Sequence, residues 1–122
     1  MILVDTSVWV DHFQRGNTRL AQYLGRGEVL AHPFVVGELA LGSLRQRTQV
    51  LEALSQLPMA IAATDFEVLD FIARQSLFAR GIGYVDAHLL AAARLTSGSW
   101  LWTLDQRLQA AASALDLAWT PS

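Results

Sequence analysis

Ile2-Leu3-Val4 form an apolar run that leads into Asp5 with no turn residue between them. The pattern predicts a short buried strand with a carboxylate at its carboxyl end, where parallel α/β sheets place functional groups. Thr6 or Ser7 can cap a helix through about Gln14, and Gly16-Asn17 breaks it. A short helix at about Thr18 to Leu24 and the turn Gly25-Arg26-Gly27 precede a second buried strand, Val29 to Ala31. Pro33 suits a helix start, with the helix running from roughly Phe34 to Leu44. Arg45 to Leu57 reads as the next helix, with Val50, Leu51 and Leu54 inward, and Pro58 ends it before a third strand, Met59 to Ala62.

The second half repeats the alternation. Thr64-Asp65-Phe66-Glu67 has the capping-box pattern and opens a helix to about Ala79, which Gly81-Ile82-Gly83 stops. Tyr84 to Leu95 is a further helix with Asp86 in its first turn, and Gly98 breaks it. Trp100 to Thr103 is a fourth strand and about Asp105 to Leu115 a helix, before a last short strand at Leu117 to Trp119. Alternating strands and helices predict an α/β domain spanning residues 1–122, with a central parallel sheet, right-handed crossovers and helices on both faces. The first and fourth strands then lie side by side, and Asp5 faces Asp105 across the crevice at their ends.

Two further acids stand out. Glu38 has Phe34, Val35, Leu41 and Gly42 one turn away on either side, so it projects from an apolar face where an unpaired charge is costly. Asp86 opens its helix. Each aspartate also has a purely structural explanation, as a helix cap or as a charge favoured at a helix N-terminus. The remaining acids look ordinary: Asp11 and Asp70 have Arg15 and Arg74 four residues on, and Asp65 and Glu67 belong to a capped helix start. If the four outliers converge they need a compensating cation, and an oxygen-only ligand set selects a hard ion such as Mg²⁺ or Mn²⁺. His12, His32 and His88 have no metal-ligand spacing among themselves and read as partly buried or surface residues.

Composition narrows the chemistry. Hydrophobic residues make up 52% and charged residues 16%, which is apolar enough to suggest that a partner covers part of the surface. The net charge of −2 gives no bulk attraction to a phosphate backbone, so a nucleic-acid role needs a local device. All nine basic residues are arginine, which removes lysine-dependent phosphate loops and Schiff-base chemistry. Without cysteine there is no disulfide, thiolate metal site or thiol nucleophile, and a reducing compartment suits the chain. No continuous apolar stretch approaches a membrane span and no basic leader opens the chain, so a cytoplasmic, membrane-free location is expected.

Four segments together carry a resemblance: Met1 to Trp9 with Asp5-Thr6-Ser7, Gly37-Glu38-Leu39 through Gly42, Gly83 to Leu90 with Asp86, and Trp102-Thr103-Leu104-Asp105. In this order they resemble PIN-domain proteins, most of all the VapC-type toxins of toxin–antitoxin pairs. The resemblance implies a sheet of strand order 3-2-1-4-5. It implies an endoribonuclease in which Asp5, Glu38, Asp86 and Asp105 bind one or two Mg²⁺ or Mn²⁺ ions, with Thr103 at a hydroxyl position beside the last acid. Asp5 and Asp86 are expected as direct ligands, and Glu38 and Asp105 as direct or water-mediated ones. RNA would be hydrolysed by metal-activated water. It further implies a homodimer silenced by a VapB-type antitoxin occupying the acidic groove.

Two other readings compete. A phosphatase or phospho-acceptor domain also places an Asp after its first strand, but Ser7 stands where the haloacid-dehalogenase-like pattern wants a second Asp, and the required lysine is missing. A catalytically inert PIN-fold module, binding RNA or protein and using its acids as caps, is the non-enzymatic alternative.

Overall fold

The computed structural model of the chain describes residues 1–121. Strand β1 (Ile2–Val4) is the middle of a three-stranded parallel sheet of order β2-β1-β3, with β2 (Val29–Leu30) on one side and β3 (Trp100–Trp102) on the other. Ile2 pairs with both Val29 and Trp100, and Val4 with Trp102. All three residues of β1 are buried, as a strand covered on both faces requires. The ladder runs one residue past β1, because Asp5 N–H donates to the Trp102 carbonyl at 2.9 Å. That bond holds the first acid against the end of β3.

Among the described residues seven helices flank the sheet: α1 (Thr6–Arg15), α2 (Thr18–Gly25), α3 (Pro33–Leu41), α4 (Arg47–Ser55), α5 (Asp65–Arg74), α6 (Tyr84–Leu95) and α7 (Gln106–Ala114). In α6 every residue from Ala87 to Ala93 is buried, and four of them are alanines that let this central helix lie close to its neighbours. Leu3, Leu89, Leu90, Leu101 and Leu108 are fully buried in the core it shares with the sheet. Each such side chain contributes roughly 1.5–3 kcal/mol relative to exposure. Among the described residues no helix is long and apolar enough to cross a membrane.

The expected third and fifth strands are not formed as strands. Met59 and Ala118 make only isolated parallel bridges, to Ala31 and Leu101 respectively. Pro58 can accept from Ala31 N–H but has no N–H to return, and Ile61 N–H goes to Thr96 Oγ1 rather than to a ladder. On the other side, pairing is limited to the two bonds that Leu101 exchanges with Leu117 and Trp119.

Three helices also end differently from expectation. Helix α3 stops at Leu41, where Gly42 turns the backbone to an extended conformation, and α4 begins only at Arg47 after Gln46 at φ 51°. Helix α5 ends at Arg74, five residues early. Ser76, at φ 52°, occupies the left-handed position that glycine usually fills, with Ser76 N–H bonded to Ala73 O and Leu77 N–H to Ile72 O. This paired closure turns Leu77 into the core, where it is buried. Asp116 at φ 58° closes α7 in the same way, with Leu117 buried behind it.

Candidate acidic active site

Asp5 caps α1 and is nearly buried, with 7% of its surface exposed. Its Oδ2 accepts three donors: Ser7 O–H at 2.6 Å, Thr103 O–H at 2.8 Å and, more weakly, Ser7 N–H at 3.4 Å. Among the described residues no donor reaches Oδ1. Thr103, itself buried, also accepts Asp105 N–H at 3.0 Å, so one hydroxyl links the first acid to the last.

The other acids repeat this division of labour. Asp105 caps α7 through Oδ1, which accepts Leu108 N–H at 2.9 Å. Asp86, in the first turn of α6, accepts Gly83 N–H on Oδ2 at 2.9 Å. Glu38, in the body of α3, accepts Thr6 O–H on Oε1 at 2.6 Å. Each of the four carboxylates therefore has one oxygen fixed by the protein, while its second oxygen has no protein donor among the described residues. Three of the four stand at helix N-termini, whose partial positive charge offsets some of their mutual repulsion.

The electrostatics place the four in one field. Burial raises the Asp86 carboxyl above the ordinary range; Gly83 N–H opposes the shift, and the charges of Asp5, Asp105 and Glu38 add to it. Among the described residues the ion pairs join Arg15 to Asp11, Arg74 to Asp70 and His88 to Asp65, and none involves the four acids. Their charge is left to solvent or to a cation.

No three His, Asp or Glu side chains of the described residues close into a ready-made metal cage. Mg²⁺ commonly keeps several waters and takes only one or two carboxylates directly, so an open array of oxygens is compatible with it. The donor set, all oxygen with one free atom per carboxylate, fits a hard divalent ion.

Two expectations need correction. Glu38 is exposed rather than set in an apolar face, because the outer side of α3 faces solvent beside Thr6; the desolvation argument for it fails. His32 and His88 are fully buried, at 1% and 2% exposure. His32 Nδ1 accepts Phe34 N–H at 3.0 Å and caps α3, while His88 Nε2 lies 3.1 Å from Asp65 Oδ1 between the rings of Phe34 and Tyr84. Ser7, which the sequence reading took as a possible helix cap and as part of the Asp5-Thr6-Ser7 segment without a site role of its own, touches Asp5 directly. The Asp-x-Ser spacing at the strand end was its one visible signal.

The PIN-domain family model matches residues 2–114. The chain belongs to the PIN-domain family. It is 47% identical over 118 residues to Ribonuclease VapC32 of Mycobacterium tuberculosis, a match covering 97% of this chain and 95% of that protein. A chain of the crystal structure of FitAcB from Neisseria gonorrhoeae superposes with a TM-score of 0.61 at 24% identity, covering 97% of this chain and 95% of that one, and supports the PIN fold alone. A PIN domain with β1 at its centre thus carries Asp5 at the sheet's carboxyl edge, and Asp105 follows β3 on the adjoining loop.

Proposed function

We propose that this PIN domain is a Mg²⁺- or Mn²⁺-dependent endoribonuclease, the toxin of a VapBC-type toxin–antitoxin pair. The observation that carries this reading is the open oxygen on each of Asp5, Glu38, Asp86 and Asp105, with no arginine paired to any of them among the described residues. The likeness to Ribonuclease VapC32 supports RNA as substrate. A divalent ion held by Asp5 and Asp86, with Glu38 and Asp105 direct or through water, would acidify a water and offset charge growing on the phosphate.

The chain's own residues do the remaining work. Asp5 is oriented by Ser7 and Thr103, Glu38 by Thr6, and Asp105 by the first turn of α7. Burial and the neighbouring acids raise the Asp86 carboxyl, a cost that a cation held there would offset. Beside Glu38 a groove of about 270 Å³ runs along Val10, Phe13, Leu39 and Leu44. Its apolar walls next to an acidic end suit a VapB-type antitoxin segment, and the exposed apolar residues elsewhere suit a homodimer.

Incubation of purified protein with RNA, with and without Mn²⁺ and chelator, followed by mapping of cut ends, tests the reading. Cleavage should require the metal and disappear in Asp5→Ala. Cleavage by folded Asp5→Ala, or in excess chelator, would overturn it. The capping bonds of the three aspartates favour the competing reading as an inert RNA- or protein-binding module, which predicts neither cleavage nor any Mn²⁺-dependent change in Tm.

A further inference from the structure

We propose that Ser7 is a positioning residue for the acidic site: its hydroxyl locks Oδ2 of Asp5 and ties the Leu104–Asp105 turn to it, leaving Oδ1 as the oxygen of Asp5 that would meet a hard cation. The inference rests on the reading that these acids bind a divalent ion.

Ser7 lies in the first turn of α1, where a hydroxyl commonly faces water. Here it does not. The backbone capping bond from Ser7 N–H to Asp5 is long, at 3.4 Å, whereas the hydroxyl bond to the same oxygen is 2.6 Å. The side chain, not the amide, is therefore the principal donor.

The direction of that hydroxyl is also fixed. Leu104 N–H donates to Ser7 Oγ at 3.0 Å, which occupies an acceptor site and leaves the single proton for Asp5. Thr103 is built the same way, accepting from Asp105 N–H and donating to Asp5 Oδ2. The two hydroxyls sit 3.3 Å apart as parallel relays from one turn to one carboxylate oxygen.

They do not duplicate each other. Thr103 belongs to the turn that it organises, two residues before Asp105, while Ser7 joins that turn to the start of α1 across 97 residues of sequence. With Oδ2 saturated by donors, Oδ1 is the oxygen of Asp5 available to a cation. A ligand orientation held by such outer bonds is worth roughly 10- to 100-fold in metal affinity.

The test measures Mn²⁺ affinity, through loss of the free-ion EPR signal, for wild type, Ser7→Ala, Ser7→Thr and Asp5→Asn, with Tm in chelator as a folding control. Leu104 N–H is at the surface, so water replaces the lost acceptor and Ser7→Ala should fold. Ser7→Ala should raise the Mn²⁺ Kd about 10-fold or more, while Ser7→Thr, which keeps the hydroxyl, stays within about threefold of wild type. Equal Kd for Ser7→Ala and wild type would overturn the proposal, as would equal weakening by Ala and Thr. If Ser7→Ala does not fold, Ser7→Cys, of similar size but a weak donor, replaces it: weakened Mn²⁺ binding supports the proposal and wild-type affinity overturns it. Wild type that binds no Mn²⁺, indistinguishable from Asp5→Asn, would instead sink the metal reading and this inference with it.

Discussion

Asp105 is where a capping role and a metal-binding role separate most cleanly. Its Oδ1 accepts Leu108 N–H at 2.9 Å and closes the start of α7. Asparagine presents the same oxygen to the same N–H, so Asp105→Asn keeps the cap and removes the charge, whereas Asp105→Ala removes both. Loss of the cap costs about 1 kcal/mol. For a domain of this size that is a fall in Tm of roughly 3–6 °C in chelator. The asparagine variant, with its cap intact, should stay within about 0.5 kcal/mol of wild type. Metal reverses the comparison. At a hundredfold excess of Mn²⁺ over Kd, one site adds about 2.7 kcal/mol to wild type, and a site weakened a hundredfold keeps only about 0.4 kcal/mol of it. Both variants should therefore lose most of the metal-dependent rise in Tm, and RNA cleavage with it. The assay is thermal unfolding with Mn²⁺ or chelator, run beside RNA cleavage on the same samples. An asparagine variant with the full rise in Tm and full cleavage would leave Asp105 a cap and nothing more.

Other outcomes follow from neighbouring geometry. Thr6→Val removes the 2.6 Å bond that holds Glu38 and should slow cleavage roughly tenfold with Tm little changed; wild-type rates would show that Glu38 needs no anchor. Burial, and secondarily the charge of His88, lowers the His32 pKa from 6.5 to about 4. The unfolded chain therefore takes up a proton below about pH 6.5 that folded His32 refuses until about pH 4. The stability this residue contributes is complete above that window and falls by about 3 kcal/mol as pH drops through it. His32→Asn keeps an acceptor for Phe34 N–H and should flatten this acid limb in urea titrations between pH 7 and 4.5, whereas an unchanged limb would assign the loss elsewhere. Ser76→Gly should stabilise by roughly 0.5–1 kcal/mol by relieving the left-handed backbone, read as a higher urea midpoint at constant m-value. No gain would show that Ser76 is unstrained.

Much of the arrangement was legible because it is local. The run Ile2-Leu3-Val4-Asp5 announces a buried strand with an acid at its end, and Thr64 to Glu67 forms the capping box its spacing implies, with Glu67 Oε1 accepting Thr64 N–H. The pairs Asp11–Arg15 and Asp70–Arg74 form at their helical spacing. What escaped depends on facts that spacing does not carry. The end of α5 was misjudged because serine, not glycine, takes the left-handed position. Glu38 was misjudged because apolar neighbours in sequence do not establish which side of α3 faces water. The third strand shrank to a bridge because Pro58 has no N–H to return and Ile61 N–H bonds Thr96 Oγ1, which the apolar run Met59 to Ala62 does not reveal. Ser7 escaped because its decisive partner, Leu104, is distant in the chain.

The middle position of β1 has a consequence for biosynthesis. Its neighbours come from residues 29–30 and 100–102, and the hydroxyl that steadies Asp5 arrives 98 residues after it. A nascent polypeptide still short of that segment cannot assemble the groove, whatever its earlier helices have done. A chain that stops short of Thr103 lacks both β3 and that hydroxyl, so the surroundings of Asp5 form only after this segment has been made. Closure over such a sequence separation is slower than the formation of local helical contacts, so the site assembles after the helices that flank it.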